Sequence, residues 1–104
     1  MAKKALEGLT ESMYYILMAF LKEERCGKDV IEFVSKKTKD RVKIGPGTLY
    51  TILAKYEEEG MIKETAVEGR KRTYAITEKG LQLFKEELAR LQNCVQDGEG
   101  EGCV

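Results

Sequence analysis

Apolar residues in this chain recur with two different periods, and the change of period divides it. Leu49, Ile52, Leu53 and Tyr56 stand at i, i+3, i+4 and i+7, the spacing of one buried helical face. Boundary chemistry brackets that run. Gly45 can serve as N-cap, and Pro46 suits the first helical position, where its missing N–H has no partner to lose. Gly60 suits a left-handed residue just past the last turn. A helix is therefore predicted from Gly45 to Gly60. Its outward face carries Gly47, Thr51 and Ala54, flanked by Thr48 and Lys55 on one side and Tyr50 on the other. A small, mostly uncharged face suits a helix that lies close against a partner. This is the candidate recognition helix.

Two helices are predicted before it. The first takes Thr10 as N-cap, with Leu9 and Tyr14 placed for a hydrophobic staple. Its apolar stripe of Met13, Ile16, Leu17, Phe20 and Leu21 ends before Glu23-Glu24, and residues 1–8 read as a short mobile lead. Cys26-Gly27 reads as a break. A second helix follows from Lys28 to about Lys37, with Val30, Ile31, Phe33 and Val34 inward. Thr38-Lys39-Asp40-Arg41 suits a polar turn, and Val42 and Ile44 form a short apolar anchor that could be a brief strand.

After Gly60 the period shortens. Met61–Val67 is rich enough in β-branched residues for a strand, Glu68-Gly69 supplies turn chemistry, and Arg70–Ile76 alternates with Tyr74 and Ile76 on one face. A hairpin is predicted. Thr77 is a good N-cap for a last helix, which Gly80 in its first turn weakens slightly. Leu81, Phe84, Leu88, Leu91 and Val95 then alternate in steps of three and four, a heptad-type seam. Two heptads are too few to establish a free-standing coiled coil; with a core this small, the seam is read as a dimer contact ahead of packing on its own domain. Gln96–Val104, rich in glycine and acid, is expected to be a disordered tail.

The order helix, helix, helix, hairpin, helix predicts a mainly helical α+β chain. The layout is a winged helix-turn-helix, three helices plus a two-stranded wing, followed by a C-terminal dimerisation helix. The expected division is residues 1–77 for DNA binding, 78–95 for dimerisation and 96–104 for the acidic tail. At 104 residues the chain has room for one modest core.

Composition narrows the chemistry. Hydrophobic content of 42% beside 35% charged residues indicates a soluble protein, and no apolar run approaches a membrane span or a signal-peptide core. A cytoplasmic location is expected. There is no histidine, no paired-cysteine spacing, no phosphate-cradling glycine loop and no nucleophile elbow, so neither enzyme, metal nor cofactor is expected. Cys26, Cys94 and Cys103 are odd in number and widely spaced, unlike a disulfide framework. Buried structural cysteine is the favoured reading over a thiol switch at Cys26 or Cys94.

The formal net charge is zero, which counts against a strongly basic nucleic-acid binder. The charge is unevenly spread, however. From Lys36 to Lys55 six basic residues face one acid, a local surplus of five positive charges that can attract phosphate. In a DNA reader Gly47 would let the backbone approach, Thr48 and Thr51 would meet base edges or phosphates, and Tyr50 would bond a phosphate. Lys36, Lys37, Lys39, Lys43 and Lys55, with Arg41, would supply sequence-independent affinity. Arg70, Lys71 and Arg72 on the hairpin would touch backbone or reach the minor groove. A protein-interaction adaptor that does not bind DNA is the alternative, with zero net charge as its support; a thiol redox-responsive regulator is a third.

Four segments also resemble the PadR-like transcriptional regulators. They are Leu9–Leu17, the Gly45-Pro46-Gly47-Thr48-Leu49-Tyr50 helix start, Tyr56–Ile62 with its Glu-Glu-Gly-Met-Ile run, and Arg70–Gly80 with Thr77-Glu78-Lys79-Gly80. The resemblance implies a homodimeric DNA-binding repressor of the branch with a single C-terminal helix. It also implies a small aromatic or cationic effector near the dimer interface, where Tyr14, Tyr15, Phe84 and Leu88 are candidates. Two departures stand out. Cys26-Gly27-Lys28 replaces the His-Gly-Tyr of many relatives, and the chain has no Trp, so the flat Trp stacking site of a lactococcal member does not carry over.

Overall fold

Local capping chemistry sets the ends of most helices in the computed structural model, which describes residues 8–102. Cys103 and the lead before Gly8 lie outside the described residues. Helix α1 spans Glu11–Met18, and the Thr10 hydroxyl accepts the Met13 N–H at 3.2 Å, as its N-cap role requires. The helix stops earlier than the apolar stripe suggests. Phe20 and Leu21 donate to Leu17 and Met18 in tight turns, and the Arg25 Nε donates to the Ala19 carbonyl at 2.6 Å. Ala19 and Phe20 stay buried even so.

The Cys26-Gly27 break is a two-residue strand running straight into a helix. Strand β1 (Arg25–Cys26) is followed by α2 (Gly27–Thr38). The Cys26 N–H and thiol both donate to Asp29 Oδ2, at 3.4 and 3.3 Å, which fixes the first turn. Val30 and Val34 are buried, with Ile31 and Phe33 half-buried beside them. At the other end Lys39 and Asp40 take left-handed φ values of 52° and 61°, and the Asp40 N–H reaches back to the Ser35 carbonyl at 2.8 Å.

The expected polar turn at Thr38–Arg41 is therefore not uniformly exposed. Thr38 is buried, its hydroxyl donating to the Val34 carbonyl at 2.8 Å and accepting the Val42 N–H at 3.1 Å. Val42 and Ile44 are the buried anchor expected of them but form no strand, and the Val42 N–H is taken by this hydroxyl.

Helix α3 (Pro46–Glu58) has Gly45 as N-cap and Pro46 at its start. Leu49, Leu53 and Tyr56 are buried and Ile52 half-buried. The Tyr56 hydroxyl donates to the Met13 carbonyl at 2.6 Å and ties α3 to α1; burial pushes this phenol's pKa well up. Gly60 is left-handed at φ 75°, where a Cβ would be strained.

Strands β2 (Ile62–Glu68) and β3 (Lys71–Ile76) make the hairpin, in register from Ile62 opposite Ile76 to Glu68 opposite Lys71. The loop is Gly69-Arg70, one residue later than the turn chemistry suggested, with φ 61° at Gly69 alone, as in a II′ turn. Strand β1 adds to β3, so the sheet has three strands in the order β1-β3-β2, where the sequence predicted two. A bulge at Thr65 lets its hydroxyl donate to the Glu24 carboxylate at 2.8 Å, bracing the base of the wing.

Helix α4 (Glu78–Gly100) opens on Thr77, whose hydroxyl accepts the Gly80 N–H at 3.1 Å and donates to the Gly60 carbonyl at 2.6 Å. Gly80 is more than a weak helix former. A Cβ there would lie 2.2 Å from the Met61 carbonyl oxygen. The helix also continues past Val95, so residues 96–100 of the expected disordered tail are helical. Each added residue closes one further backbone bond on an existing helix, which offsets the cost of Gly98 and Gly100.

The core joins α1, α2 and α3 to Met61, Ile62, Tyr74 and Phe84. Glu87 on α4 is buried too, accepting from the Arg90 Nε at 3.0 Å. The apolar seam of α4 splits. Phe84 packs into its own domain, stacked on Tyr14 with ring centroids 4.8 Å apart, whereas Leu81, Leu88 and Val95 are 37%, 38% and 58% exposed. Leu91 is half-buried.

Candidate nucleic-acid interface

Pro46 and Gly47 start α3 with no side-chain cap over the Gly45 N-cap, leaving its first N–H groups toward solvent, an arrangement that favours an anion. Gly47, Thr48, Tyr50, Thr51, Ala54 and Lys55 are all exposed on this helix. The Thr51 hydroxyl donates to the Gly47 carbonyl at 3.0 Å. Its lone pairs remain as acceptors, suited to an amino group on a base edge.

Tyr50 is 60% exposed, yet one edge of its ring is seated. A Cβ added at Gly27 would meet Tyr50 Cε1 and the hydroxyl at 3.2 Å, so the first residue of α2 makes room for this ring. Between α2, Tyr50 and the wing lies a cleft of about 590 Å³, lined by Lys28, Asp29, Tyr50, Arg70, Lys71, Arg72 and Tyr74 among others. A second concavity of about 390 Å³ continues along α2, sharing Asp29 and Glu32 with the first and adding Lys36 and Lys37. The fold thus brings Tyr50, Arg70, Lys71 and Arg72 to one cleft and places Lys36 and Lys37 beside it. Lys39 and Lys43 are exposed on the connection into α3 and line neither concavity.

The wing cations are not equivalent. Arg70 has no ion pair among the described residues, and Lys71 only faces the Asp29 carboxylate across the cleft. That carboxylate is held below its ordinary range first by the Cys26 thiol's hydrogen bond, with Lys71 and Arg25 adding attraction. Arg72 is engaged three ways. Its Nε bonds the Glu64 carboxylate, its Nη2 lies 3.6 Å from Glu57 of α3, and its guanidinium sits 5.5 Å from the Tyr74 ring centroid.

Lys28 and Tyr74 were not singled out by sequence. Lys28 adjoins a break in the pattern, and Tyr74 read simply as an inward strand residue. Tyr14, Tyr15 and Phe84 form a cluster in which Tyr15 meets Tyr14 edge-on at 5.8 Å, so they do come together where α1 meets α4. Cys26 is buried and Cys94 exposed, so the structural reading of a buried thiol fits the first and not the second.

The model of the transcriptional regulator PadR-like family matches residues 16–86 of the chain. No curated protein matches it in sequence. Among solved structures it is similar to a transcriptional regulator from Clostridium thermocellum, with 24% identity and a TM-score of 0.76 over 86% of this chain and 87% of that one. A PadR-like regulator from Bacillus cereus superposes with a TM-score of 0.73 at 21% identity, over 88% and 91% of the two chains. Bacillus subtilis PadR, solved in complex with operator DNA, is 25% identical with a TM-score of 0.65, covering 73% of this chain and 45% of its own.

Proposed function

From the fact that the chain belongs to the PadR-like family of transcriptional regulators, we propose that it works as a homodimeric, sequence-specific DNA-binding repressor released by a small effector. The observation that carries this reading is the exposed, uncharged N-terminal face of α3 standing beside a cationic wing whose Arg70 makes no ion pair among the described residues. The operator complex of the Bacillus subtilis relative supports it.

In this reading the N-terminal half of α3 enters the major groove. Thr48 and Thr51 meet base edges, Gly47 lets the backbone close in, and Tyr50 bonds a phosphate from its seat on Gly27. Lys36, Lys37, Lys39, Lys43 and Lys55 neutralise phosphates on either side, and Arg70 and Lys71 extend that contact to the neighbouring backbone or minor groove. Leu81, Leu88, Leu91 and Val95 of α4 meet a second copy, with Phe84 supporting them from inside the domain. Dimerisation sets two recognition helices about 34–36 Å apart, one turn of duplex. The effector, a small aromatic or cationic molecule, binds where α1 and α4 meet at the dimer seam, against Tyr14, Tyr15, Phe84 and Leu88.

The test is a titration of the purified chain onto the DNA flanking its own gene at two salt concentrations. A sequence-selective shift that weakens with salt supports the repressor. No shift at low salt supports the adaptor reading, which zero net charge favours.

A further inference from the structure

We propose that Glu57 and Glu64 are positioning residues for DNA binding, holding Arg72 as a strut between the wing and the recognition helix and so keeping it off the phosphate backbone. The inference rests on the DNA-binding reading above and adds a division of labour within the wing: Arg70 and Lys71 touch DNA, and Arg72 fixes the wing that carries them.

The strut follows from strand register. Arg72 and Tyr74 are two residues apart on β3 and share a face, and Glu64 lies directly opposite Tyr74 on β2. The Arg72 side chain therefore crosses the Tyr74 ring to reach Glu64 diagonally, and its other nitrogen meets Glu57 in the last turn of α3. Glu57 and Glu64 belong to different elements, so a single guanidinium joins the two parts that would enter adjacent grooves. The Thr65–Glu24 hydrogen bond and the β1–β3 pairing brace the same wing from its base.

Charge balance favours keeping Arg72 in place. With it docked, two carboxylates and one guanidinium leave a single net negative charge at this corner. Turning Arg72 out to a phosphate would leave both carboxylates uncompensated within a Debye length of the DNA, about 10 Å at 0.1 M salt. Arg70, by contrast, gives up no partner when it meets a phosphate. Preorganisation of the wing is the benefit of the strut, since a loop ordered beforehand loses less freedom on binding.

The experiment is the salt dependence of binding to a mixed-sequence duplex about three helical turns long, from about 50 to 200 mM salt. Arg70→Ala should flatten the plot of log affinity against log salt by about 0.9, the value of one lost phosphate contact. Arg72→Ala should leave that slope near wild type. The double variant Glu57→Gln/Glu64→Gln should steepen it by about 0.9, because Arg72 becomes available to a phosphate, and adding Arg72→Ala should cancel the gain. Glu64→Gln alone is the milder variant and should act with the same sign. The strut is overturned if Arg72→Ala flattens the slope with both acids intact, or if the double Gln variant matches wild type. Absence of salt-sensitive binding by the wild-type chain would instead sink the DNA-binding reading and this inference with it.

Discussion

Replacing Gly80 by Ala sets a local helix preference against a tertiary contact. In a helix interior the change gains about 1 kcal/mol. Here the new Cβ would lie 2.2 Å from the Met61 carbonyl oxygen and 2.9 Å from Ile76 Cγ1. Ile76 is β-branched and gives way only by a change at χ1. The Met61 carbonyl cannot turn aside, because it accepts the Thr77 N–H at 3.0 Å and leads directly into β2. Overpacking that must move backbone belongs at the upper end of the usual range, about 3 kcal/mol. The net expected loss is about 2 kcal/mol, which lowers the melting temperature of a domain this size by roughly 8–16 °C. Thermal unfolding followed by circular dichroism, at one fixed protein concentration, measures it. Gly98→Ala is the steric control, since an added Cβ there meets nothing within 4 Å. A Gly80→Ala variant that melts at or above wild type would refute the close approach of α4 to the β2 end.

Thr51→Ala and Tyr50→Ala should each weaken operator binding, by about 1–3 kcal/mol where Thr51 reads a base, with far-ultraviolet circular dichroism unchanged. Normal operator affinity in both variants would rule out this docking of α3. Leu88→Glu, placing charge in the middle of the exposed Leu81–Leu88–Val95 line, should turn a dimer into a monomer by sedimentation velocity; an unchanged sedimentation coefficient would move the interface elsewhere. Glu87 adds a pH dependence. The Arg90 hydrogen bond foremost, then Arg90's charge and the Leu9 N–H, hold its carboxyl below the ordinary value against the opposing pull of burial. Its stabilisation is therefore complete above about pH 5 and fades as pH falls through the lowered folded value. Glu87→Gln should flatten the acid limb of a plot of melting temperature against pH, and an unaltered limb would assign it to other carboxylates such as Asp29.

The parts legible in the sequence were those whose signals are local. Gly45, Pro46 and Gly60 bound α3 by their own backbone chemistry, Thr10 and Thr77 cap their helices with their own hydroxyls, and the alternation from Arg70 to Ile76 follows from a single strand. What escaped depends on partners outside each element's own pattern. Strand β1 is two residues long and exists only because Arg25 and Cys26 meet Tyr74 and Thr73 on β3. The early end of α1 is held by Arg25, six residues beyond Ala19. Gly80 looked like a weak point in a helix until Met61 was placed against it. At the candidate site, Arg70, Lys71 and Arg72 were indistinguishable as a basic run. Only the register of β2 on β3, shifted by the bulge at Thr65, brings Glu64 within reach of Arg72 and separates it from its neighbours.

Hydroxyl-radical footprinting of the wild-type chain on the DNA flanking its gene tests the DNA-binding dimer most directly. Two protected half-sites related by dyad symmetry and centred about one helical turn apart, both lost in Thr51→Ala, are the expected result. Protection that is absent, or a single unpaired site that Thr51→Ala leaves intact, would contradict it.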